Sequence, residues 1–386
     1  MEKDIMNQPV YLDYNATTPV DPRVADAIEP CLHQHYGNPS SSHIYGRNAH
    51  EAVEQARERV AELIGAQPEE IVFTGCATEA NNLAIRGVAR ALREKGRHLI
   101  TSAVEHPSVA QPFQRLQDDG WEVSVIPVDN YGQVSADEIA SILRDDTVLV
   151  SIMHANNEVG TIQPIEEVAA IARSRGILMH SDAAQSTAKI PVSVDSLGVD
   201  LLSIAGHKFY ATKGIGALYV RSGTQLQPVL VGAGHEGGLR PGTENVPAIV
   251  GLGEAARLAV ERGTKETQRL TEMRENMHQR LASAIPELTL NGHPEKRLPN
   301  TLNLSFPNVD GRELLAHAAK DIAASVGSAC HEDNETVSGV LGAMGITHQR
   351  ALGAIRLSLG SPTTEAEIER ATKALITAWQ ACARRR

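Results

Sequence analysis

Short apolar runs alternate with helix-like stretches between about residue 70 and residue 220. In chain order the runs are IVFT, HLITSAV, TVLVSIM, ILMHS, DLLSI and GALYV, and amphipathic segments separate most of them. Strands that alternate with helices are typical of βαβ units, and strands that are buried on both faces read as continuously apolar. The pattern therefore predicts an α/β fold that is built on a mostly parallel sheet.

The pattern changes near residue 245. Two long helical patterns with charged faces follow, NVPAIVGLGEAARLAVERG and KETQRLTEMRENMHQRLASAI. After them come two short apolar runs, NTLNLSF and AIRLSLG, and a final helical pattern, TEAEIERATKALITAWQACARR. We expect a large domain over residues 16–260 and a small C-terminal α/β domain that combines residues 1–15 with residues 261–386.

Composition narrows the possible partners. The chain has 386 residues with 42% hydrophobic and 22% charged residues, which is typical of a folded globular protein. The formal net charge is -11 and only 3% of the residues are aromatic, so we expect no nucleic-acid partner. Apolar runs of the roughly 20 residues that a membrane span needs do not occur, and the first residues are too polar for a signal peptide. We therefore expect a cytoplasmic protein without a membrane partner.

Cysteine and histidine spacing does not indicate a metal site. The four cysteines are scattered along the chain without CxxC spacing, and the fifteen histidines form no HExxH pattern. We expect neither a disulfide framework nor a bound metal, and each cysteine has to be considered separately.

Unusual polar residues follow the predicted strands. Thr78, His106, Asn157, Asp182 and Lys208 each come just after an apolar run. Ligands bind at the carboxyl edge of doubly wound sheets, and a small-residue turn that opens a helix can bind a phosphate. A lysine can form a Schiff base, and a carboxylate can hold a pyridinium nitrogen. Together these groups predict a pyridoxal phosphate site.

The ordered motifs resemble those of the cysteine desulfurases, in the class V aminotransferase group on the fold type I scaffold of pyridoxal phosphate enzymes. The resemblance covers nearly the whole chain and implies a seven-stranded sheet in the large domain. It rests on YLDYNATTP, GNPSSSH, ATEANN, EHPSV, HANNEVGTIQPI, SDAAQS, GHKFYATKGIGALYV, LRPGTENV, VGSAC and IRLSLG.

The resemblance implies roles for the cofactor-binding residues. Lys208 would carry the cofactor and move the substrate Cα proton, Asp182 would pair with the pyridine nitrogen, and His106 would stack on the ring and assist proton transfer. The remaining contacts would come from Gln185 at the ring oxygen, from Ala77, Thr78 and His207 at the phosphate, and from Thr243 at the phosphate of the partner subunit in a homodimer.

The resemblance also implies roles in substrate chemistry. Asn157 and Arg356 would bind the substrate carboxylate, and Cys330 would attack the sulfur of L-cysteine. The products would be L-alanine and a persulfide on Cys330, from which a protein acceptor would collect the sulfur. The sequence does not name that acceptor.

Other interpretations remain open at several positions. Asp182 and His106 could serve as helix caps, and both roles could hold at once. Ala205 and Cys76 stand where the family usually has Ser and Gly in the phosphate pocket, and Cys76 could also have a redox role. The residues after Cys330, His-Glu-Asp, resemble selenocysteine lyases, so L-selenocysteine is a rival substrate. A relative that has lost its chemistry is disfavoured because Lys208 and Asp182 are both present.

Overall fold

A computed structural model of the chain describes residues 8–326 and 338–384. Within them a central seven-stranded sheet has the order β2-β8-β7-β6-β5-β3-β4. Its strands are β2 (Ile71–Thr74), β3 (His98–Ser102), β4 (Glu122–Ile126), β5 (Thr147–Ser151), β6 (Leu178–Asp182), β7 (Leu201–Ala205) and β8 (Gly216–Val220). Strand β8 is antiparallel to β2 and β7, and the other pairs are parallel. The predicted seven-stranded, mostly parallel sheet is confirmed.

Neighbouring residues of these strands face opposite sides of the sheet. Phe73, Ile100 and Leu202 join one hydrophobic cluster, whereas Leu99 and Leu201 join a second cluster. Because both faces are covered, the strands carry apolar residues toward both sides of the sheet, which explains why the apolar residues form runs and do not alternate with polar ones. Strand β4 was absent from the sequence prediction. It is one of the two edge strands and is partly exposed, so its sequence EVSVI includes polar residues.

Helices cover both faces of the central sheet. They are α1 (Pro22–His33), α2 (Ile44–Ile64), α3 (Ala77–Ala91), α4 (Pro107–Asp118), α5 (Ala136–Ile142), α6 (Ile165–Ser174), α7 (Val194–Leu197) and the first part of α8 (Val246–Ala284). Helices α2 and α6 contribute to the first cluster, and α3 and α4 contribute to the second. The result is a three-layer α/β/α arrangement.

A separate hydrophobic cluster lies toward the C-terminus. It includes strands β1 (Val10–Tyr11) and β11 (Ile322–Ala323), which pair in parallel, and strands of the antiparallel sheet β12-β10-β9. The strands of that sheet are β9 (Thr289–Asn291), β10 (Thr301–Ser305) and β12 (Ala354–Ser358), and the helices of this region are α9 (Gly311–Ala318), α10 (Gly339–Ala343), α11 (His348–Leu352) and α12 (Glu365–Ala383). The separate clusters favour two domains, and the boundaries at residues 16 and 260 stay a prediction.

Helix α8 runs from the first cluster to the C-terminal cluster. Residues up to Leu258 pack in the former and residues from Leu270 pack in the latter. The helix is interrupted at Gly263, where φ is 54° and ψ is -153°. The two helical patterns predicted from the sequence therefore meet at this glycine, whose backbone conformation a residue with a side chain rarely adopts.

Among the residues that the structure describes, no helix combines the length and the apolar character that crossing a membrane requires.

Candidate active site

A cavity of about 260 Å³ lies at the carboxyl ends of the parallel strands, beside the first turn of helix α3. Nine residues predicted from the sequence line it together: Ala77, Thr78, His106, Asn157, Asp182, Gln185, His207, Lys208 and Arg356. The strand ends bring these residues to one edge of the sheet, as expected for a doubly wound fold.

Lys208 ends a single 3-10 turn, Gly206–Lys208, which directly follows strand β7. Its Nζ donates to the backbone oxygens of Asn15, at 2.7 Å, and of Ala16, at 2.8 Å. Both acceptors are uncharged backbone carbonyls, and Lys208 lines the cavity. A lysine amine at the cavity wall is a group that can condense with an aldehyde of a ligand.

His207 lies next to Lys208 and is neutral at ordinary pH. Burial, together with the charges of Lys208, Lys213 and Lys189, lowers the pKa of His207 to about 4. Its Nδ1 lies 3.2 Å from the hydroxyl oxygen of Thr17. A neutral imidazole can offer a hydrogen bond to an anion without adding to the positive charge of the site.

Asp182 is the last residue of strand β6 and is only 5% exposed. Its Oδ2 accepts from Asn81 Nδ2 at 2.7 Å, and its Oδ1 accepts from the backbone N–H of Ala184 at 2.9 Å. The residues after Asp182 form turns, so the expected helix at this point is wrong. The bond from the Ala184 N–H to Asp182 therefore belongs to a turn and caps no helix, while Asp182 also lines the cavity.

His106 precedes helix α4 and caps it. Its Nδ1 accepts from the backbone N–H of Ser108 at 3.1 Å, so the neutral ring carries its proton on Nε2. Burial lowers the pKa of His106, and the nearby Lys208 lowers it further, whereas Asp182 raises it. The capping residue also lines the cavity, and the expected role of His106 at the cofactor ring stays a prediction.

Helix α3 begins at Ala77 without a side-chain cap from Cys76. Ala77 and Thr78, the first residues of the helix, line the cavity at the positive end of the helix dipole, which favours an anion. A Cβ at Gly216 would lie 2.8 Å from the Cys76 carbonyl carbon and 2.6 Å from the Ile204 oxygen. Only glycine lets strand β8 approach this turn so closely.

Arg356 reaches the cavity from strand β12 and is 3% exposed. Its Nη1 donates to the Asn157 backbone oxygen at 3.0 Å, and its Nη2 donates to Asp13 Oδ1 at 2.7 Å. Within the described part of the chain its Nε has no hydrogen-bond partner. A buried guanidinium with an unpaired N–H is suited to receive a carboxylate.

Two predicted site residues are not placed in this cavity. Thr243 is exposed and does not line it, so its expected role toward a partner subunit stays a prediction. Cys330 lies outside the described residues, and its expected role as nucleophile also stays a prediction. Cys76 and Ala205, which stand where the family usually has Gly and Ser, both line the cavity.

Sequence reasoning missed several residues that bond to the cavity residues. Asn15 and Asn81 belong to the motifs YLDYNATTP and ATEANN, and membership of these motifs was the signal that could have found them. Glu105 and Lys189 are two further residues that the sequence reasoning missed. Glu105 Oε1 accepts from Ser102 Oγ at 2.6 Å and from the Met153 N–H at 2.9 Å, and burial raises the pKa of Glu105 to about 8.

The donor set of this cavity fits pyridoxal phosphate. It combines an amine, a carboxylate that a neighbouring amide holds in place, and an uncapped helix end at the cavity edge. These groups match the aldehyde, the ring nitrogen and the phosphate of the cofactor.

Comparison with known proteins agrees with this fit. The family model described as aminotransferase class V matches residues 10–371. The chain belongs to this family. Cysteine desulfurase IscS of Dictyoglomus turgidum is 47% identical over 94% of this chain and 92% of the relative. The family predicted from the motifs is confirmed, and the family is one of pyridoxal phosphate enzymes.

Solved structures show the same fold. A NifS-like protein superposes with a TM-score of 0.90 at 39% identity, covering 96% of this chain and 98% of that chain. The structure of SspA in complex with cysteine has a TM-score of 0.80 at 38% identity, covering 90% of this chain and 98% of that chain. The predicted fold type I architecture is confirmed.

Proposed function

We propose that this protein is a pyridoxal phosphate-dependent cysteine desulfurase, which converts L-cysteine to L-alanine and takes the sulfur as a persulfide on Cys330. One observation carries the proposal. Lys208, Asp182 and Arg356, which supply an amine, a carboxylate and a guanidinium, line one cavity. The cysteine desulfurase relatives, 45–47% identical over most of their length, support the same activity.

In this proposal some residues of the cavity bind the cofactor, and others bind or act on the amino acid substrate. When bound, pyridoxal phosphate supplies an aldehyde that can condense with an amine and a ring that withdraws electrons. Asp182 keeps the ring nitrogen protonated, while Asn81 holds the Asp182 carboxylate. The first N–H groups of α3 and neutral His207 bind the phosphate. Lys208 Nζ, which the carbonyls of Asn15 and Ala16 hold at the wall, removes the Cα proton.

Arg356 and Asn157 orient the substrate. The guanidinium receives the substrate carboxylate on its unpaired Nε–H and a neighbouring Nη–H, which leaves the substrate Cα near Lys208. His106, neutral and protonated on Nε2, lies on the cavity wall, where it can pass a proton. Met153 and Ala155 line the same cavity and keep part of its wall apolar.

Cys330 performs the sulfur transfer in this proposal. Its thiolate attacks the substrate sulfur, so that an S–S bond forms while the Cβ–S bond breaks. The bonding electrons go to Cβ, which takes up a proton to become the methyl group of alanine, and Lys208 returns the proton to Cα. The persulfide sulfur then passes to a thiol of a protein acceptor. We place this supply in iron–sulfur cluster assembly, in line with the IscS names of the relatives.

The proposal extends to assembly and location. A homodimer would bring the exposed Thr243 of each subunit to the phosphate of the other site. The absence of Thr243 from the cavity of its own chain is compatible with that role. A cytoplasmic location follows from the sequence composition and belongs to the same proposal.

The experiment compares alanine formation from L-cysteine and L-selenocysteine by the wild type, Lys208→Ala and Cys330→Ala. The wild type should be active on cysteine and should show a visible cofactor band that borohydride fixes on Lys208. Lys208→Ala should lose that band and the activity, because an imine needs a primary amine. Cys330→Ala should keep the band but lose activity on cysteine.

Selenocysteine serves as the diagnostic alternative. A wild type that is nearly idle on cysteine, with a Cys330→Ala variant that still splits selenocysteine, would identify a selenocysteine lyase instead. Full activity of Cys330→Ala on cysteine would place the nucleophile elsewhere, and Cys76, which lines the cavity, would be tested next.

A further inference from the structure

Lys189 is a partly buried lysine beside the cavity that the proposed function leaves without a role. Its Nζ donates to Gln185 Oε1 at 2.7 Å and to Asn15 Oδ1 at 3.1 Å. Its own carbonyl accepts from the Thr267 hydroxyl of helix α8 at 2.9 Å. The bonds of Nζ and of the backbone carbonyl hold Lys189 in one position. Ordering such a long side chain costs conformational entropy, which those bonds have to offset.

The bond from Lys189 determines how the Gln185 amide is oriented. Gln185 Nε2 donates to the Asn15 backbone oxygen at 2.9 Å, while Gln185 Oε1 accepts from Lys189. Turning the amide over would set its NH2 group against the lysine amine and its oxygen against a carbonyl. Both contacts would become repulsive, so the observed orientation is the only satisfied one. The second N–H of Nε2 is then left as a donor for an oxygen in the cavity.

Asn15 connects Lys189 with Lys208. The backbone oxygen of Asn15 accepts from both Lys208 Nζ and Gln185 Nε2. Its side-chain oxygen accepts from Lys189 Nζ and, at 3.1 Å, from Asn300 Nδ2. Asn15 is 1% exposed, so its groups depend on these partners rather than on water. Lys189 thus bonds to Asn15, one of the two residues whose carbonyls accept from the Lys208 amine, and to Gln185, which shares the Asn15 carbonyl with that amine.

We propose that Lys189 is a positioning residue of the cofactor site, which keeps the Gln185 amide turned as a donor toward the cavity and steadies the Asn15 carbonyl that anchors Lys208. The inference rests on the proposed function, because a ring oxygen for Gln185 and an imine carbon for Lys208 exist only with pyridoxal phosphate bound.

The charge state of Lys189 is compatible with this role. Burial lowers the pKa of Lys189 well below its usual value, and the positive charges of Lys208 and Arg356 lower it further. Charged or neutral, the amine keeps at least two N–H groups, which is the number that Gln185 and Asn15 receive. Its effect is therefore carried by hydrogen bonds.

The test uses Lys189→Met, which removes the donors but keeps the length of the side chain. Exposed Lys213→Met is the matched control for the loss of a lysine near the cavity. Gln185→Ala and the double variant complete a cycle. Two quantities are measured on each protein: the dissociation constant of pyridoxal phosphate from the apoenzyme, by absorbance titration, and the pH midpoint of the visible band of the bound cofactor.

Lys189→Met should weaken pyridoxal phosphate binding roughly tenfold, about the effect of one hydrogen bond, and should shift the pH midpoint of the band. Lys213→Met should change the dissociation constant less than twofold. In the double variant the loss should be smaller than the sum of the two single losses, because part of the Lys189 effect passes through Gln185. Thermal unfolding of each holoenzyme separates a loss of fold from a loss of positioning.

Two results would overturn the inference while leaving the proposed function in place. One is wild-type binding and an unchanged band in Lys189→Met, and the other is a full sum of the two single losses in the double variant. Failure of the wild type to bind pyridoxal phosphate would instead refute the proposed function. If Lys189→Met does not fold, Lys189→Gln, which keeps an amide donor, takes its place in the same cycle. Its loss should then be smaller than that of Gln185→Ala, and a loss equal to or above it would overturn the inference.

Discussion

Replacing Arg356 by lysine would test the proposed binding of the substrate carboxylate. A guanidinium has five N–H donors, and a lysine ammonium has three. In the structure one donor of Arg356 goes to the Asn157 oxygen and one goes to Asp13, while Nε has no partner among the described residues. The arginine can therefore offer two adjacent donors to a carboxylate. A lysine that served the same two protein groups would retain one.

The expected effect follows from the loss of one charge-assisted hydrogen bond. Such a bond contributes about 1.5–3 kcal/mol, so the kcat/KM of Arg356→Lys for L-cysteine should fall about 10- to 150-fold. The loss should appear mainly in KM, since the Lys208 amine and the cofactor contacts are unchanged. Alanine formation over a range of cysteine concentrations measures both constants.

Two inhibitors make this experiment specific. L-Alanine keeps the carboxylate, so its inhibition constant should rise by a similar factor in Arg356→Lys, whereas that of cysteamine, which lacks the carboxylate, should change little. Exposed Arg23→Lys serves as the control for an arginine-to-lysine change. An equal loss with cysteamine, or an unchanged KM for cysteine in a folded variant, would refute the assignment of the carboxylate to Arg356.

Two further substitutions test the phosphate-binding end of the cavity and the buried carboxyl group of Glu105, which precedes His106 in the sequence. Ala205→Ser, at the end of strand β7, should tighten pyridoxal phosphate binding about two- to tenfold through one added donor, and faster cofactor loss on dialysis would contradict it. Glu105→Gln should remove a pH dependence of stability. Burial raises the pKa of Glu105 from 4.5 to about 8, so the folded protein holds a proton that the unfolded chain releases. The free energy of unfolding of the wild type, relative to Glu105→Gln, should therefore fall as the pH rises from about 4.5 to 8, and a difference that stays flat would contradict the buried, protonated state.

The hydrophobic pattern alone located six of the strands in the central sheet, because strands covered on both faces carry apolar residues toward both sides of the sheet. It also located the polar residues that follow those strands. Because the carboxyl ends of parallel strands lie at the same edge of the sheet, these residues lie close together. Strand β4 was missed because an edge strand that is partly exposed has no such requirement. The residue roles came from the family motifs, and nine of the predicted site residues share one cavity.

Only the tertiary structure revealed the contacts that hold those residues. Asn15 bonds to Lys208, Lys189 and Asn300, which lie far from it along the chain, and Arg356 bonds to Asp13 across a similar distance. Apolar periodicity is a local property of the chain, so it identifies elements and their buried faces. Hydrogen-bond partners depend instead on strand order and on how the N-terminal segment returns to the C-terminal sheet, and packing of the whole chain decides both.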